Sequence, residues 1–334
     1  MEASGEAAAT LPDEAAGNAR AARRAGRKAG NRSMSNTWHG KKLFLLIVPF
    51  LVFSVLFSYL PLFGWIYAFY DYQPPIPLSE SEFVGLQWFQ MLVQNPAQMQ
   101  AIGQVLVNTF AMSGLNILTS FLPLFFAIAL NEIRAKWFKN LIQTLTTLPN
   151  FISWVLVYAV AFAMFSSTGM INELLQNLHL ISEPIQFLDS DSHTWPKMLL
   201  WGIWKGLGWG SILYLAGIAG IDQELYEAAQ VDGANRFQQI IHVTIPQLMP
   251  TFFVLLMLSV SNFLNNGMDQ YYVFSNAFNM KHIQVLDLYV YNIGLGSSSL
   301  SLGTAISMLK SLVSVALLLI VNWISKRTRG ESIV

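Results

Sequence analysis

Six long apolar runs constrain this chain more than anything else in it. They cover residues 43–67, 103–130, 141–165, 199–220, 246–264 and 302–324, each close to or longer than the roughly 20 residues that carry an α-helix across bilayer hydrocarbon. Hydrocarbon offers the backbone no hydrogen-bond partner, so a spanning segment must bond within itself, and a helix does so. The expectation is an all-α polytopic membrane protein with six transmembrane helices. Composition agrees, with 54% of residues hydrophobic and 11% charged, less than half the roughly 25% typical of soluble domains.

Cationic side chains are placed one-sidedly. Arg20, Arg23, Arg24, Arg27, Lys28, Arg32, Lys41 and Lys42 precede the first run, and Arg134, Lys136 and Lys139 follow the second. Arg236 follows the fourth, and Lys326, Arg327 and Arg329 follow the sixth. Fifteen of the nineteen Lys and Arg residues therefore share one side of an alternating topology. The positive-inside rule places that side, and both termini, in the cytoplasm. Residues 1–37 hold too few large apolar residues to bury a core, so they read as a disordered basic cytoplasmic tail. Arg23-Arg24 precedes a full span rather than a short apolar stretch with a cleavage site, so the tail is expected to stay attached. Residues 38–334 then form one transmembrane domain. Its outer loops carry Pro74, Pro75 and Pro77, the acids Glu173, Glu183, Asp189 and Asp191, and the aromatics Tyr271, Tyr272, Phe274 and Phe278. They are long enough to form small helices against an external partner. Trp65, Tyr67 and Trp323 lie near span ends as interfacial anchors.

One polar segment, residues 221–245, interrupts the cytoplasmic side. Asp222, Glu224, Glu227 and Asp232 face a single Arg236, so the segment belongs in water. Leu225, Tyr226, Ala228 and Ala229 suit a short helix, Asp232-Gly233 signals a turn, and Phe237, Ile240, Ile241 and Thr244 return at helical spacing. The whole register, Glu227-Ala228-Ala229, then Asp232-Gly233-Ala234, then Ile245-Pro246, resembles the cytoplasmic coupling loop of ABC importer permeases. Tyr59-Leu60-Pro61 with Gly64, Ala68-Phe69-Tyr70-Asp71-Tyr72 and Gly85-Leu86-Gln87-Trp88-Phe89 are similar to the start of the oligosaccharide and polysaccharide branch of sugar permeases. The stretches at 130–156 and 220–237 continue that likeness, which covers about residues 43–326 and extends to permeases of complex saccharides such as alginate.

The resemblance implies a type I importer in a bacterial inner membrane. A homologous second permease would complete the pathway, two ATPase subunits would dock beneath, and a solute-binding protein would deliver a saccharide from outside. Glu227 is then the polar contact to the ATPase, Ala228 and Ala229 the close-packing surface and Gly233 the turn, with Asp232, Ala234 and Arg236 completing the segment. No GxxxxGK[ST] phosphate loop occurs, so ATP and magnesium are expected on the partner and no cofactor on this chain.

Polar residues inside the spans are costly and are read first as functional. At about 1.5 Å per residue, Lys205 lies roughly 9 Å below the outer end of span four and Lys310 roughly 12 Å below that of span six. Asn262 and Asn108 fall at a similar level, with Asn265 just beyond. Trp201, Trp204 and Trp209 surround Lys205 in sequence, and Gly202, Gly206 and Gly210 form a small-xxx-small seam for close packing. Together these residues are expected to line an outward-opening cavity. Two cations with no spanning acid to pair them suit an anionic saccharide such as an oligouronate. The alternatives are a neutral oligosaccharide or a glycerol-phosphate-like solute, with the lysines snorkelling or structural.

Other classes fit poorly. His39, His179, His193, His242 and His282 form no paired metal spacing, and no nucleophile-base pair lies in a span, which argues against an intramembrane enzyme. There is no cysteine for a thiolate site. A membrane scaffold without transport would leave the coupling segment unexplained, and nothing points to nucleic acid.

Overall fold

The computed structural model describes residues 44–329. The basic tail expected at residues 1–37, with Lys41 and Lys42, lies outside the described residues. The chain divides into two units at Trp65 and Ile66. The first unit contributes the greater part of α1, a helical segment spanning Phe44–Phe69 with mean hydropathy 2.3.

The second unit is a helical bundle. After a two-stranded ribbon, β1 (Tyr70–Asp71) and β2 (Glu82–Phe83), come α2 (Gln87–Gln94), α3 (Pro96–Leu118), α4 (Leu122–Glu132), α5 (Lys136–Thr147), α6 (Trp154–Phe165) and α7 (Met170–Asn177). Then follow α8 (Thr194–Ala219), α9 (Gln223–Val231), α10 (Arg236–Gln239), α11 (Ile245–Ser261), α12 (Asp269–Phe274), α13 (Met280–Ile283), α14 (Leu286–Tyr291) and α15 (Leu300–Arg329). Among the described residues, five helical stretches are long and apolar enough to cross a membrane: Phe44–Phe69, Pro96–Glu132, Trp154–Asn177, Arg236–Ser261 and Leu300–Arg327.

The fourth expected span coincides with α8, which has 26 residues and so about 39 Å of length, but falls outside that apolar set. Its position explains its composition. α8 packs against α3, α4, α5 and α11, and Met198, Lys205, Gly208, Ser211, Tyr214 and Ile218 along it are buried. Protein, more than lipid, is its solvent.

The third expected span is corrected. Residues 141–165 are not one helix: Pro149 falls in a short turn, Leu148–Phe151, and α6 restarts at Trp154 behind an Ser153 N-cap that accepts from the Leu156 N–H. The apolar helix therefore begins at Trp154, and α5 before it is a separate, more polar helix. The expected glycine seam is corrected as well. A Cβ at Gly206 would meet nothing within 4 Å, and one at Gly210 would stand 3.2 Å from Pro123 of α4. The tight approach is at Gly208, where a Cβ would lie 2.3 Å from the backbone C and O of Thr146.

Three apolar clusters make the core. Leu124, Ala127, Ile128, Tyr214, Ile218 and Leu248 join α4, α8 and α11 near the end that carries Glu132 and Arg236. Met112, Val157, Ala161, Met198, Phe274 and Leu288 join α3, α6, α8, α12 and α14. Val105, Leu286, Tyr289, Leu302 and Ile306 bind α3, α14 and α15.

Candidate functional site: the coupling segment and the polar cluster

Residues 222–244 fold by local chemistry. Asp222 caps α9, its carboxylate accepting from the Glu224 N–H at 3.0 Å. The helix ends in a Schellman turn: Ala234 N–H donates to Ala229 O at 2.9 Å and Gly233 N–H to Gln230 O at 3.0 Å. That closure needs a left-handed residue, and Gly233 supplies it at φ +78° without a Cβ penalty. A capping box then starts α10, Asn235 Oδ1 accepting from Gln238 N–H at 2.9 Å and Gln238 Oε1 from Asn235 N–H at 2.8 Å. Each partner lies within five residues, so the sequence dictates the turn directly.

Helical structure then runs without interruption from Arg236 to Ser261. A wide π-turn at Ile240–Thr244, in which Ile245 N–H reaches Ile240 O, precedes Pro246, where the α ladder loses a donor. Pro250, four residues on, removes a second donor on the same face. The expected division between a loop ending at 245 and a span starting at 246 is thus replaced by one continuous rod.

α9 has two faces. Glu227, Ala228 and Asp232 are exposed on one of them, and Val231 on that face is 88% exposed. Phe237 at the start of α10 is 69% exposed. Unpartnered apolar side chains on a water-facing helix mark a contact surface. Val231 and Phe237 were not among the expected contacts; each stands between polar residues beside the turn at residues 232–235, which was the available signal. Ala229 and Ala234 are half-buried, and Arg236 reaches Glu132 of α4 at 3.3 Å with both side chains well exposed.

The polar residues expected to converge do so only in part. Lys310 Nζ pairs with Asp287 of α14, and the other Asp287 oxygen accepts from the Gly267 N–H at 2.9 Å. The premise that no acid stands by is therefore corrected for Lys310. Gly267 closes an unwound stretch above α11 that also holds Asn262, Asn265 and Asn266. Asn265 Nδ2 donates to Asn262 Oδ1 at 3.3 Å, and Asn266 Nδ2 to Ser113 Oγ of α3 at 2.9 Å. Asn262 and Asn265 are exposed, while Asn266 Oδ1 is buried without a partner among the described residues. Asn108 stands close by in chain terms but is fully buried, donating to Lys281 O at 2.9 Å and Gln284 O at 3.0 Å. It anchors the segment leading to Asp287 instead of facing an opening.

Lys205 lies apart from this cluster. Its Nζ donates to Pro149 O at 3.0 Å and Asn150 O at 2.8 Å, carbonyls of the turn where span three breaks, Pro149 O also accepting from the Ile152 N–H at 3.2 Å, and stands 5.4 Å from the Trp154 ring. A cation at the end of a half-helix is favoured by the helix dipole. Trp201 packs edge-on to Trp204 and to Phe165, and Trp209 to Phe151. Trp204 and Trp209 are about half exposed. Asp287, Asn266 and Ser113 are the members of this network that sequence reasoning missed; each is matched to its partner across at least 20 residues of chain.

An exposed polar helix, α9, thus leads through a tight turn into the helix that becomes an apolar span of a multi-helix bundle, the arrangement of a membrane transport subunit. The chain belongs to the family of binding-protein-dependent transport system inner membrane components, whose model matches residues 119–330. It is 38% identical over 295 residues to Protein LplB of Bacillus subtilis, covering 88% of this chain and 91% of that one. It is 37% identical over 295 residues to the polygalacturonan/rhamnogalacturonan transport system permease protein YteP of the same organism, covering 88% and 90%. Among solved structures, a bacterial ABC transporter involved in the import of the acidic polysaccharide alginate has a chain 30% identical, with a TM-score of 0.76 over 89% of this chain and 99% of that one. The chain is accordingly a multi-pass inner-membrane ABC permease and not itself an enzyme.

Proposed function

We propose that this chain is one of two permease subunits of an importer for an acidic oligosaccharide built from uronates. The single observation that carries the transport reading is the continuous helix from Arg236 to Ser261, preceded by the exposed α9 face. An ATPase that grips Glu227, Ala228 and Val231 would move that rod as its dimer closes, and the rod's far end enters the Asn262–Gly267 stretch beside Asp287 and Lys310. Displacement of the coupling segment is thus transmitted to the polar cluster, the step that alternating access requires. The basic end then faces the cytoplasm, where the ATPase binds ATP and magnesium. The opposite end, with Glu173, Glu183, Asp189 and Asp191, meets the solute-binding protein.

The uronate assignment is supported by likeness to permeases whose names or descriptions include alginate and polygalacturonan. Two observations favour the neutral alternative: Asp287 already compensates Lys310, and chains 28–30% identical include arabinooligosaccharide permeases. Uptake of labelled oligouronate and of a matched neutral oligosaccharide, by cells with and without this chain, decides between them. Loss of oligouronate uptake alone is the expected result. Loss of neutral uptake alone refutes the uronate assignment, and loss of neither refutes the saccharide reading.

A further inference from the structure

The end opposite the coupling segment is acidic. Residues 71–102, 166–198 and 265–301 hold nine Asp and Glu residues against two lysines, and a surface of one sign draws in a partner of the other. Asp191 is set apart from the other acids. Its Oδ2 stands 2.7 Å from His282 Nδ1 of α13, while its Oδ1 is the one buried carboxylate oxygen without a partner among the described residues. Lys197 lies in the field of Asp191 and Asp189 but donates to Phe187 O at 2.8 Å and Ser190 O at 3.0 Å. Two carboxylates thus share one ammonium whose bonds go elsewhere, and an unbonded buried oxygen costs free energy until a donor arrives.

Asp191 lines a pocket of about 270 Å³ with His193, Thr194, Trp195, Pro196 and His282. That volume falls below the roughly 300–1,000 Å³ of small-molecule sites, so it admits one long side chain and excludes an oligosaccharide. Trp195 is held in place by its Nε1, which donates to His282 O at 2.9 Å, and its ring stands edge-on to the imidazole with centroids 5.9 Å apart. An indole beside a carboxylate attracts a cation twice over, through the ring quadrupole and through charge. No group of three metal-ligating side chains occurs among the described residues. The cation that fits brings its own hydrogen-bond donors, as an ammonium or a guanidinium does.

We infer that this pocket is a socket for one lysine or arginine side chain of the solute-binding protein, with Asp191 Oδ1 as its acceptor. The inference rests on the permease reading above. Charge complementarity names the occupant, because the binding protein is the partner that meets this acidic end. The socket is also wired to the polar cluster. α13, which carries His282, is tied to α3 where Asn108 donates to Lys281 O and Gln284 O, and Asp287 follows three residues beyond Gln284. A binding protein anchored at Asp191 therefore stands on the segment that leads to Asp287 and Lys310.

The test uses the assembled transporter in nanodiscs and titrates it with solute-binding protein loaded with trigalacturonate, reading the concentration that gives half-maximal stimulation of ATPase. Asp191→Asn keeps the shape of the side chain and removes its charge; it should raise that concentration at least tenfold. His282→Gln removes the imidazole and leaves the carboxylate; it should leave the concentration within twofold. The contrast separates a socket from a structural pair, which would lose as much from either side. The chain has no cysteine, so a benzophenone on Ser192→Cys, beside the pocket, should crosslink to the binding protein. If Asp191→Asn fails to assemble, His193→Asp adds a carboxylate at a left-handed position, φ +58°, that Asp tolerates, and should lower the half-maximal concentration. Equal concentrations for Asp191→Asn and the unaltered chain overturn the proposal, as do equal losses in both variants, no crosslink, or no gain from His193→Asp. Stimulation of the unaltered transporter is read first. Its absence refutes the permease assignment for this saccharide; its presence with no effect of Asp191→Asn refutes only the socket.

Discussion

Replacing Lys205 by methionine separates a structural cation from a substrate-binding one. Its ammonium donates to Pro149 O and Asn150 O, and its side chain is buried. Pro149 O keeps the Ile152 N–H at 3.2 Å, so one carbonyl, Asn150 O, is stranded, at a cost of about 1–3 kcal/mol. Methionine also removes an ion whose burial was itself unfavourable before its partners are counted, which returns part of that cost. A net loss of about 1 kcal/mol is expected, equivalent to a fall of about 2 °C in the melting midpoint by the scaling for large domains. Purified complex would be melted with and without the substitution, and uptake of acidic and neutral oligosaccharides compared in cells. The midpoint should fall while the ratio of acidic to neutral uptake stays constant. An unchanged midpoint with selective loss of acidic uptake would refute the reasoning and return Lys205 to the translocation pathway.

Four other sets of substitutions test separate contacts. Gly208→Ala sets a methyl 2.3 Å from the Thr146 carbonyl and should cost about 3 kcal/mol, read as lost folded yield, whereas Gly206→Ala, with open space around it, should be neutral. Asp287→Leu and Lys310→Met should each destabilise by about 3 kcal/mol or more, and the pair together by less than their sum, because each single change leaves the other charge buried; additive losses would show that the pair contributes nothing. Gly233→Trp should abolish uptake and ATPase retention, while Gly233→Ala should cost about 1–2 kcal/mol from left-handed strain; normal transport by the tryptophan variant sinks the turn assignment. Val231→Ser with Phe237→Ser should weaken ATPase retention in pull-downs about tenfold or more at an unchanged melting midpoint, since both side chains are exposed and contribute little to this chain's own core.

How far the sequence discloses this molecule depends on the distance over which each feature is decided. The coupling turn was legible because Asp222, Gly233 and the Asn235–Gln238 box satisfy one another within five residues. The apolar helices were legible because lipid selects composition directly. α8 gives a weaker signal: its neighbours are other helices, so glycines, tryptophans and a lysine replace aliphatics, yet the apolar run at 199–220 still disclosed it. Long-range choices were not legible at all. Nothing near Lys310 in sequence announces Asp287, 23 residues earlier, and nothing near Lys205 announces Asn150, 55 residues earlier. The small-xxx-small spacing at Gly202, Gly206 and Gly210 pointed to a close approach, but the tightest one is at Gly208, against Thr146 beside the break at Pro149. That break places Thr146 against Gly208 and leaves the Asn150 carbonyl that Lys205 must satisfy. One proline thus accounts for both departures from expectation in the middle of the bundle. It also joins two residues that looked independent in sequence, so Gly208 and Lys205 stabilise the same junction from two adjacent turns of α8.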